Sequence, residues 1–192
     1  GARIEVGHHA GNIGEASIIC RSTAVPDSNV EIQAALDARR VVLSRAEILA
    51  AICSTKQTIA VAGTHGKTTT SSMLALALTA AGLAPSFIVG GDLNDIGSGA
   101  VWNDQGELFV VEADESDGTF LKVGAATAIV TNLESDHLDY FGTYEALVHA
   151  FTDFLKAVDG PRIVCIDDPG AAELAAEVGE CLTYGTAESA DY

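Results

Sequence analysis

The sequence predicts an α/β fold in which a mostly parallel sheet is flanked by helices. Three observations predict it. Short β-rich runs alternate with helix-period runs along most of the 192 residues, and strands joined through helices are parallel strands. Aromatic residues make up only 6% of a chain that is 48% hydrophobic, a mix rich in Ala, Val, Leu and Gly that suits helices packed on a sheet. A β-rich run also ends on a glycine that leads directly into a long helical pattern.

Taken in order, Ile4–Val6 and Ser17–Cys20 read as strands and Asn29–Ala38 as a helix. Arg40–Leu43 reads as a strand and Arg45–Ile52 as a helix. A second unit begins near Thr55. Its first strand, Thr58–Ala62, stops at Gly63, and the helix Thr68–Ala81 ends at Gly82, a natural C-terminal stop. Phe87–Gly90 and Leu108–Ala113 are the next strands, with a Gly/Asn/Asp-rich loop between them. Thr127–Thr131 follows as a strand, then the helix Tyr144–Val158. Arg162–Ile166 (strand), Ala171–Val178 (helix) and Cys181–Tyr184 (strand) complete the pattern. The order divides into residues 1–53 and residues 54–192.

The formal charge is −17, from 27 acidic and 10 basic residues. With no basic cluster to neutralise phosphates, the sequence argues against a nucleic-acid partner. No apolar run has the length of a membrane span, so no membrane insertion is expected. Cys20, Cys53, Cys165 and Cys181 are widely spaced and form no CxxC pair. Three of them, Cys20, Cys165 and Cys181, lie in strand-like runs, where buried free thiols are expected. That usage fits a reducing cytoplasm and not a structural zinc site.

The strongest local signal is Gly63-Thr64-His65-Gly66-Lys67-Thr68-Thr69 between a strand and a helix. Glycines allow the tight turn and close approach of the backbone, so that amides point at phosphate oxygens. The start of the following helix adds positive potential. Lys67 is placed to meet β- and γ-phosphates, and the Thr68 hydroxyl to join a Mg²⁺ shell. A standard phosphate loop has a further glycine five residues before Gly66, where Val61 stands.

Two acidic segments follow strands. Glu112-Ala113-Asp114-Glu115-Ser116-Asp117 leaves the end of an apolar run, and Glu112 is its best metal-ligand candidate. The rest is expected to be, in part, a solvated acidic turn. The second segment, Glu134-Ser135-Asp136-His137-Leu138-Asp139, surrounds His137 with three carboxylates. His8 and His9 are weaker candidates, and His149 in a helical run reads as structural.

Three stretches together resemble the central ATPase domain of the Mur ligases: GTHGKTTTSSML from Gly63, VVEADESDGTFL from Val110 and TNLESDHLDYFGTYEAL from Thr131. The shortened phosphate loop is itself similar to the ATP loop of that family and of folylpolyglutamate synthetases. Within the Mur ligases the combination resembles the alanine-adding branch; a related peptide-adding branch would carry Tyr where Ser116 stands. The stretches GHHAGNI, STAVPDSNVEI and VVLSRAEILAAI resemble the second half of the family's Rossmann-like, UDP-sugar-binding N-terminal domain.

The resemblance implies a P-loop-type central domain over residues 54–192, with ATP and Mg²⁺ as cofactors and UDP-N-acetylmuramate and L-alanine as substrates. It implies that Lys67 contacts the ATP phosphates, that Thr68 and Glu112 hold one Mg²⁺, and that His137 holds a second. His8, Asn12 and Ser22 fall in the implied UDP-sugar half. A Mur-type ligase for another amino acid or peptide, and a non-catalytic nucleotide-binding module, are the alternatives. The pattern opens without an obvious beginning, and no counterpart of the family's C-terminal domain follows Tyr192. A fragment without appreciable ligase activity of its own is therefore the expectation.

Overall fold

The computed structural model describes residues 2–93, 97–116, 118–136 and 138–192. The chain divides into two compact units, Gly1–Ala51 and Ile52–Tyr192.

In the first unit, β1 (Ile18–Arg21) pairs in parallel with β2 (Val41–Ser44), joined through α1 (Val30–Asp37). Asn29 starts α1 by accepting the Glu31 amide on its side chain, as a short polar cap should. The expected strand at Ile4–Val6 is not formed. These residues lie in irregular backbone with Ile4 and Val6 86% and 100% exposed; composition alone does not make a strand where no neighbour pairs with it. Cys20 is also exposed rather than buried, because it lies on the open face of β1. Helix α2 (Arg45–Cys53) contains the boundary between the units.

The second unit is a seven-stranded sheet in the order β5-β4-β6-β3-β7-β8-β9. Its strands are β3 (Gln57–Ala62), β4 (Ser86–Leu93), β5 (Ser98–Val101), β6 (Leu108–Glu112), β7 (Thr127–Val130), β8 (Arg162–Cys165) and β9 (Leu182–Tyr184). All neighbours are parallel except β4 and β5. The Gly/Asn/Asp-rich stretch expected to be only a loop therefore contains the far arm of a hairpin. Its turn-forming composition hid the extension of β4 past Gly90, from Gly91 to Leu93, and the short edge strand β5.

The central strands are apolar on both faces, as parallel strands covered by helices must be. Ala60, Val61 and Ala62 of β3 and Val110 and Val111 of β6 are fully buried. On one side, α3 (Lys67–Ala80) packs on β3, β4 and β6. Beyond β7 the chain forms the short α4 (Leu138–Phe141), then α5 (Tyr144–Lys156) and α6 (Pro169–Val178). Leu147, Ala150, Phe151, Phe154 and Leu155 form a buried stripe on α5 at helical spacing. Phe120 closes on it, with ring centroids 5.0 and 5.2 Å from those of Phe151 and Phe154. His149, expected to be structural, sits on the exposed face of the same helix. Cys53 is buried, Cys165 and Cys181 are half-buried, and all four cysteines are free thiols. Among the described residues no helix is long and apolar enough to cross a membrane.

Strand order decides which loops become neighbours. β3 lies between β6 and β7, so the loops leaving the C-terminal ends of these three strands emerge side by side. That is the sheet edge where α/β proteins take ligands.

Candidate functional site

The loop after β3 is shaped by two glycines. Gly63 has φ 132°, and a Cβ there would lie 2.1 Å from Thr131 Oγ1 and 3.0 Å from the Asn132 carbonyl oxygen. Only a residue without a side chain lets the loop pass this close to the segment leaving β7. Gly66 adopts φ 81° as the N-cap of α3, with nothing within 4 Å of the position its Cβ would take.

Hydrogen bonds strap the loop to the β7 exit. The His65 amide donates to Asn132 Oδ1 at 2.7 Å, and Asn132 Nδ2 returns a bond to the His65 carbonyl at 3.1 Å. The Thr131 hydroxyl donates to the same carbonyl at 2.6 Å. The Glu134 amide donates to Thr64 Oγ1 at 2.9 Å, which explains why Thr64 is buried. Further out, Asp168 Oδ1 accepts from the Leu133 amide at 2.9 Å while capping α6 through the Ala171 amide at 2.8 Å. Asn132 and Asp168 were not singled out from the sequence, since their partners lie far away along the chain.

No side chain caps the start of α3, and its first turn holds no acidic residue. The helices α1, α5 and α6 are each capped by a side chain, those of Asn29, Thr143 and Asp168. The first amides of α3 thus keep their positive end available to an outside acceptor. A cavity of about 300 Å³ opens there, lined by Thr64, His65, Gly66, Lys67, Thr68, Thr69 and Glu112. Six of the seven residues expected to bind the cofactor line it; the seventh, Gly63, packs instead against Thr131 and Asn132. A larger opening, about 440 Å³, lies at the opposite ends of β3 and β6 around Lys56, Asp104 and Glu107, with none of these groups in it.

Thr68 and Glu112 meet across the cavity. The Thr68 hydroxyl donates to Glu112 Oε1 at 2.9 Å, and the Gly90 amide donates to Oε2 at 2.6 Å. Gly90 was read from the sequence only as the end of a strand, with no role at the site, because its partner Glu112 lies 22 positions away. A Cβ on it would lie 2.8 Å from Glu112 Oε2 and 3.1 Å from Thr68 Oγ1, so a bare backbone is what admits the carboxylate. A hydroxyl and a carboxylate side by side are hard oxygen donors of the kind that suit Mg²⁺.

Lys67 is folded back on its own loop. Its Nζ donates to the carbonyls of Gly63 and Thr64 at 2.7 and 3.2 Å, and to Glu115 Oε1 at 3.0 Å. Glu115 Oε2 stands 3.0 Å from the same ammonium. Glu115 is 1% exposed, so the expectation of a solvated acidic turn fails at this residue. Burial pushes its carboxyl above the ordinary range, against the hydrogen bond from Lys67, which pulls it down.

His137 lies outside the described residues. Around it, Glu134 and Asp139 are on the chain leaving β7, and Glu134 Oε2 stands 3.9 Å from His65 Nε2, both side chains exposed. Among the described residues no group of three or more His, Cys, Asp or Glu side chains is set to hold a metal.

In the first unit, His8 and Asn12 converge on Glu31. Asn12 Nδ2 donates to Oε1 at 2.7 Å, His8 Nδ1 is 3.2 Å from Oε2, and the His9 amide donates to Oε1 at 3.2 Å. These bonds, that with His8 first, hold the Glu31 carboxyl below its ordinary range. Ser22 is elsewhere, in a cavity of about 290 Å³ with Arg21, Thr23, Val25, Pro26, Asp27 and Ser44.

The parallel sheet, the glycine-shaped loop after its central strand and the lysine opening the next helix make the second unit a P-loop-type α/β domain. The family profile described as the Mur ligase middle domain matches residues 61–192, and that described as the Mur ligase family catalytic domain matches residues 1–57. The chain belongs to the Mur ligase family.

The UDP-N-acetylmuramate–L-alanine ligase of Solidesulfovibrio magneticus is 46% identical over 99% of this chain and 42% of its own length. That of Paenarthrobacter aurescens is 46% identical over 100% of this chain and 43% of its own. The chain thus spans about two-fifths of the length of these curated relatives. Among solved structures, the UDP-N-acetylmuramate:L-alanyl-γ-D-glutamyl-meso-diaminopimelate ligase of Neisseria meningitides superposes with TM-score 0.81 at 29% identity. The match covers 94% of this chain and 62% of that one. The UDP-N-acetylmuramate–alanine ligase of Thermotoga maritima gives TM-score 0.79 at 29% identity, over 94% of this chain and 41% of that one.

Proposed function

We propose that this chain carries the ATP-phosphate site of an ATP-dependent ligase that joins L-alanine to UDP-N-acetylmuramate in peptidoglycan precursor synthesis. The observation that carries the reading is the convergence of Lys67, Thr68 and Glu112 on the uncapped start of α3. The choice of L-alanine rests on the names of relatives 46% identical along nearly the whole chain. The free thiols fit a reducing cytoplasm as the place of work.

In this reading the amides from Thr64 to Thr69 and the Lys67 ammonium neutralise the β- and γ-phosphates. Thr68 and Glu112 hold one Mg²⁺, and His137, by the family resemblance, a second. Bound there, Mg²⁺ would offset the charge of the phosphates and of the incoming carboxylate. The muramoyl carboxylate oxygen attacks the γ-phosphorus and ADP leaves. The L-alanine amine then attacks the acyl carbon, phosphate leaves, and the nitrogen loses its proton. The chain's own groups act by holding the reactants in line and by countering their crowded negative charge. Residues 1–53 would contribute to UDP-sugar binding and residues 54–192 to ATP binding.

The test is ligation by the full open reading frame that contains this segment. It is supplied with ATP, Mg²⁺ and UDP-N-acetylmuramate, and with either L-alanine or L-alanyl-γ-D-glutamyl-diaminopimelate. Product with L-alanine is expected. Product with the tripeptide alone would transfer the chain to the peptide-adding branch, the branch named for the Neisseria meningitides ligase whose structure this chain matches with TM-score 0.81. ATP binding without product from either acceptor would leave a non-catalytic nucleotide-binding module.

The metal assignment has its own test. Gly90→Ala pushes a methyl against Glu112 Oε2, so the Mg²⁺ concentration needed for nucleotide binding should rise about tenfold, as when the support of a metal ligand is removed. Nucleotide binding titrated against Mg²⁺, beside a thermal melt, reads this directly. An unchanged Mg²⁺ requirement would remove Glu112 from the metal shell.

A further inference from the structure

The Lys67–Glu115 pair plays no part in the proposed ligation steps, and it is the most buried ion pair among the described residues, with side chains 12% and 1% exposed. An ammonium has three N–H donors, and in Lys67 they are directed at the carbonyls of Gly63 and Thr64 and at Glu115. Meeting a phosphate requires the ammonium to release at least one of them. The two carbonyls belong to the loop that carries the lysine. Glu115 belongs to the neighbouring loop after β6 and does not travel with it.

We propose that Glu115 is a competing anion for Lys67. It holds the ammonium when no phosphate is present and keeps the affinity for nucleoside polyphosphates low, the diphosphate product included. The proposal rests on the reading of this loop as a nucleotide-phosphate site.

The physical reason is the cost of separating the pair. A carboxylate buried to this degree loses most of its hydration, and the facing ammonium replaces it. When the ammonium moves to a phosphate, the carboxylate stays behind in a water-poor position, and that cost subtracts from the lysine–phosphate attraction. A glutamine has the same shape and can still accept a hydrogen bond from Lys67. It has no charge to strand. Glu115 is therefore a positioning residue that acts through Lys67, and its charge works against binding while it steadies the empty loop.

The experiment measures the dissociation constants of MgADP and of adenosine by calorimetry, for the full reading frame and its Glu115→Gln variant, alone and in a Lys67→Ala background. MgADP should bind about tenfold more tightly to Glu115→Gln. Adenosine, which has no phosphate, should bind both equally, and the gain should vanish without Lys67. A purely structural role for Glu115 would instead weaken every ligand alike. Equal or weaker MgADP binding by a folded Glu115→Gln protein overturns the inference. Should that variant fail to fold, the structure of the unsubstituted protein with MgADP decides. Lys67 Nζ more than about 4 Å from the Glu115 carboxylate, beyond ion-pair contact, supports the proposal; a retained contact overturns it. If the unsubstituted protein does not bind MgADP at all, the nucleotide reading itself fails.

Discussion

In the full reading frame that contains this segment, replacing Lys67 by Ala is expected to lower the proposed ligation by about a thousandfold or more, the scale of losing one preorganised charge at a phosphoryl-transfer site. It should also destabilise the fold, because the buried Glu115 loses its ion-pair partner. Breaking a buried pair on one side costs about 3 kcal/mol. The sign of the pH dependence follows from Glu115. Its carboxyl is already raised by burial, and Lys67 opposes that rise. Without Lys67 the folded-state value climbs further above the unfolded one. A carboxyl raised in the folded state stabilises the fold at low pH and loses that contribution as pH rises through the folded value. The deficit of Lys67→Ala relative to the unsubstituted chain should therefore be larger at about pH 8 than at about pH 5. Urea unfolding of both proteins at the two pH values measures it. A deficit independent of pH would mean that Glu115 is not the group left stranded.

Gly63→Ala should be the most damaging single substitution to the architecture of the site. A methyl there would sit 2.1 Å from Thr131 Oγ1 and against the backbone of Asn132, at a φ of 132°. Backbone cannot step aside as a flexible side chain can, and Thr131 is committed to the His65 carbonyl. The loop would have to leave the β7 exit and lose the bonds through Asn132 and Thr64. A loss of about 3–5 kcal/mol, or failure to fold, is expected, with nucleotide binding abolished. Gly66→Ala is the control. It also has positive φ, but its methyl would meet nothing within 4 Å, so its stability cost should be about 1–2 kcal/mol from the left-handed backbone alone. Thermal melts of the two variants separate the cases, and equal costs would show that close approach at Gly63 is not the constraint.

Much of the fold was legible in the sequence because its signals are local. The strand ending at Gly63, the helix opening at Lys67 and the apolar stripe of α5 follow from periodicity and turn chemistry within a few residues. The failures were also local readings. Ile4–Val6 has strand composition without a pairing partner, and β5 was hidden because residues of loop composition pair with β4. Cys20 has apolar neighbours in sequence but lies on an open strand face.

By itself the sequence determined the class of protein. The loop from Gly63 to Thr69, the acidic segment opened by Glu112 and the stretch through His137 carry the family resemblance, because residue types in order are what a sequence states. Tertiary structure alone decided how they meet. Placing β3 between β6 and β7 sets Glu112 on Thr68, Asn132 on His65 and Glu115 on Lys67, pairs separated by 44, 67 and 48 positions. Strand order is fixed by the packing of helices on the sheet, and no local pattern encodes it. The same acidic run could have faced water; the turn from β3 into α3 brings Lys67 to Glu115, and that ion pair offsets the cost of burying one of its carboxylates.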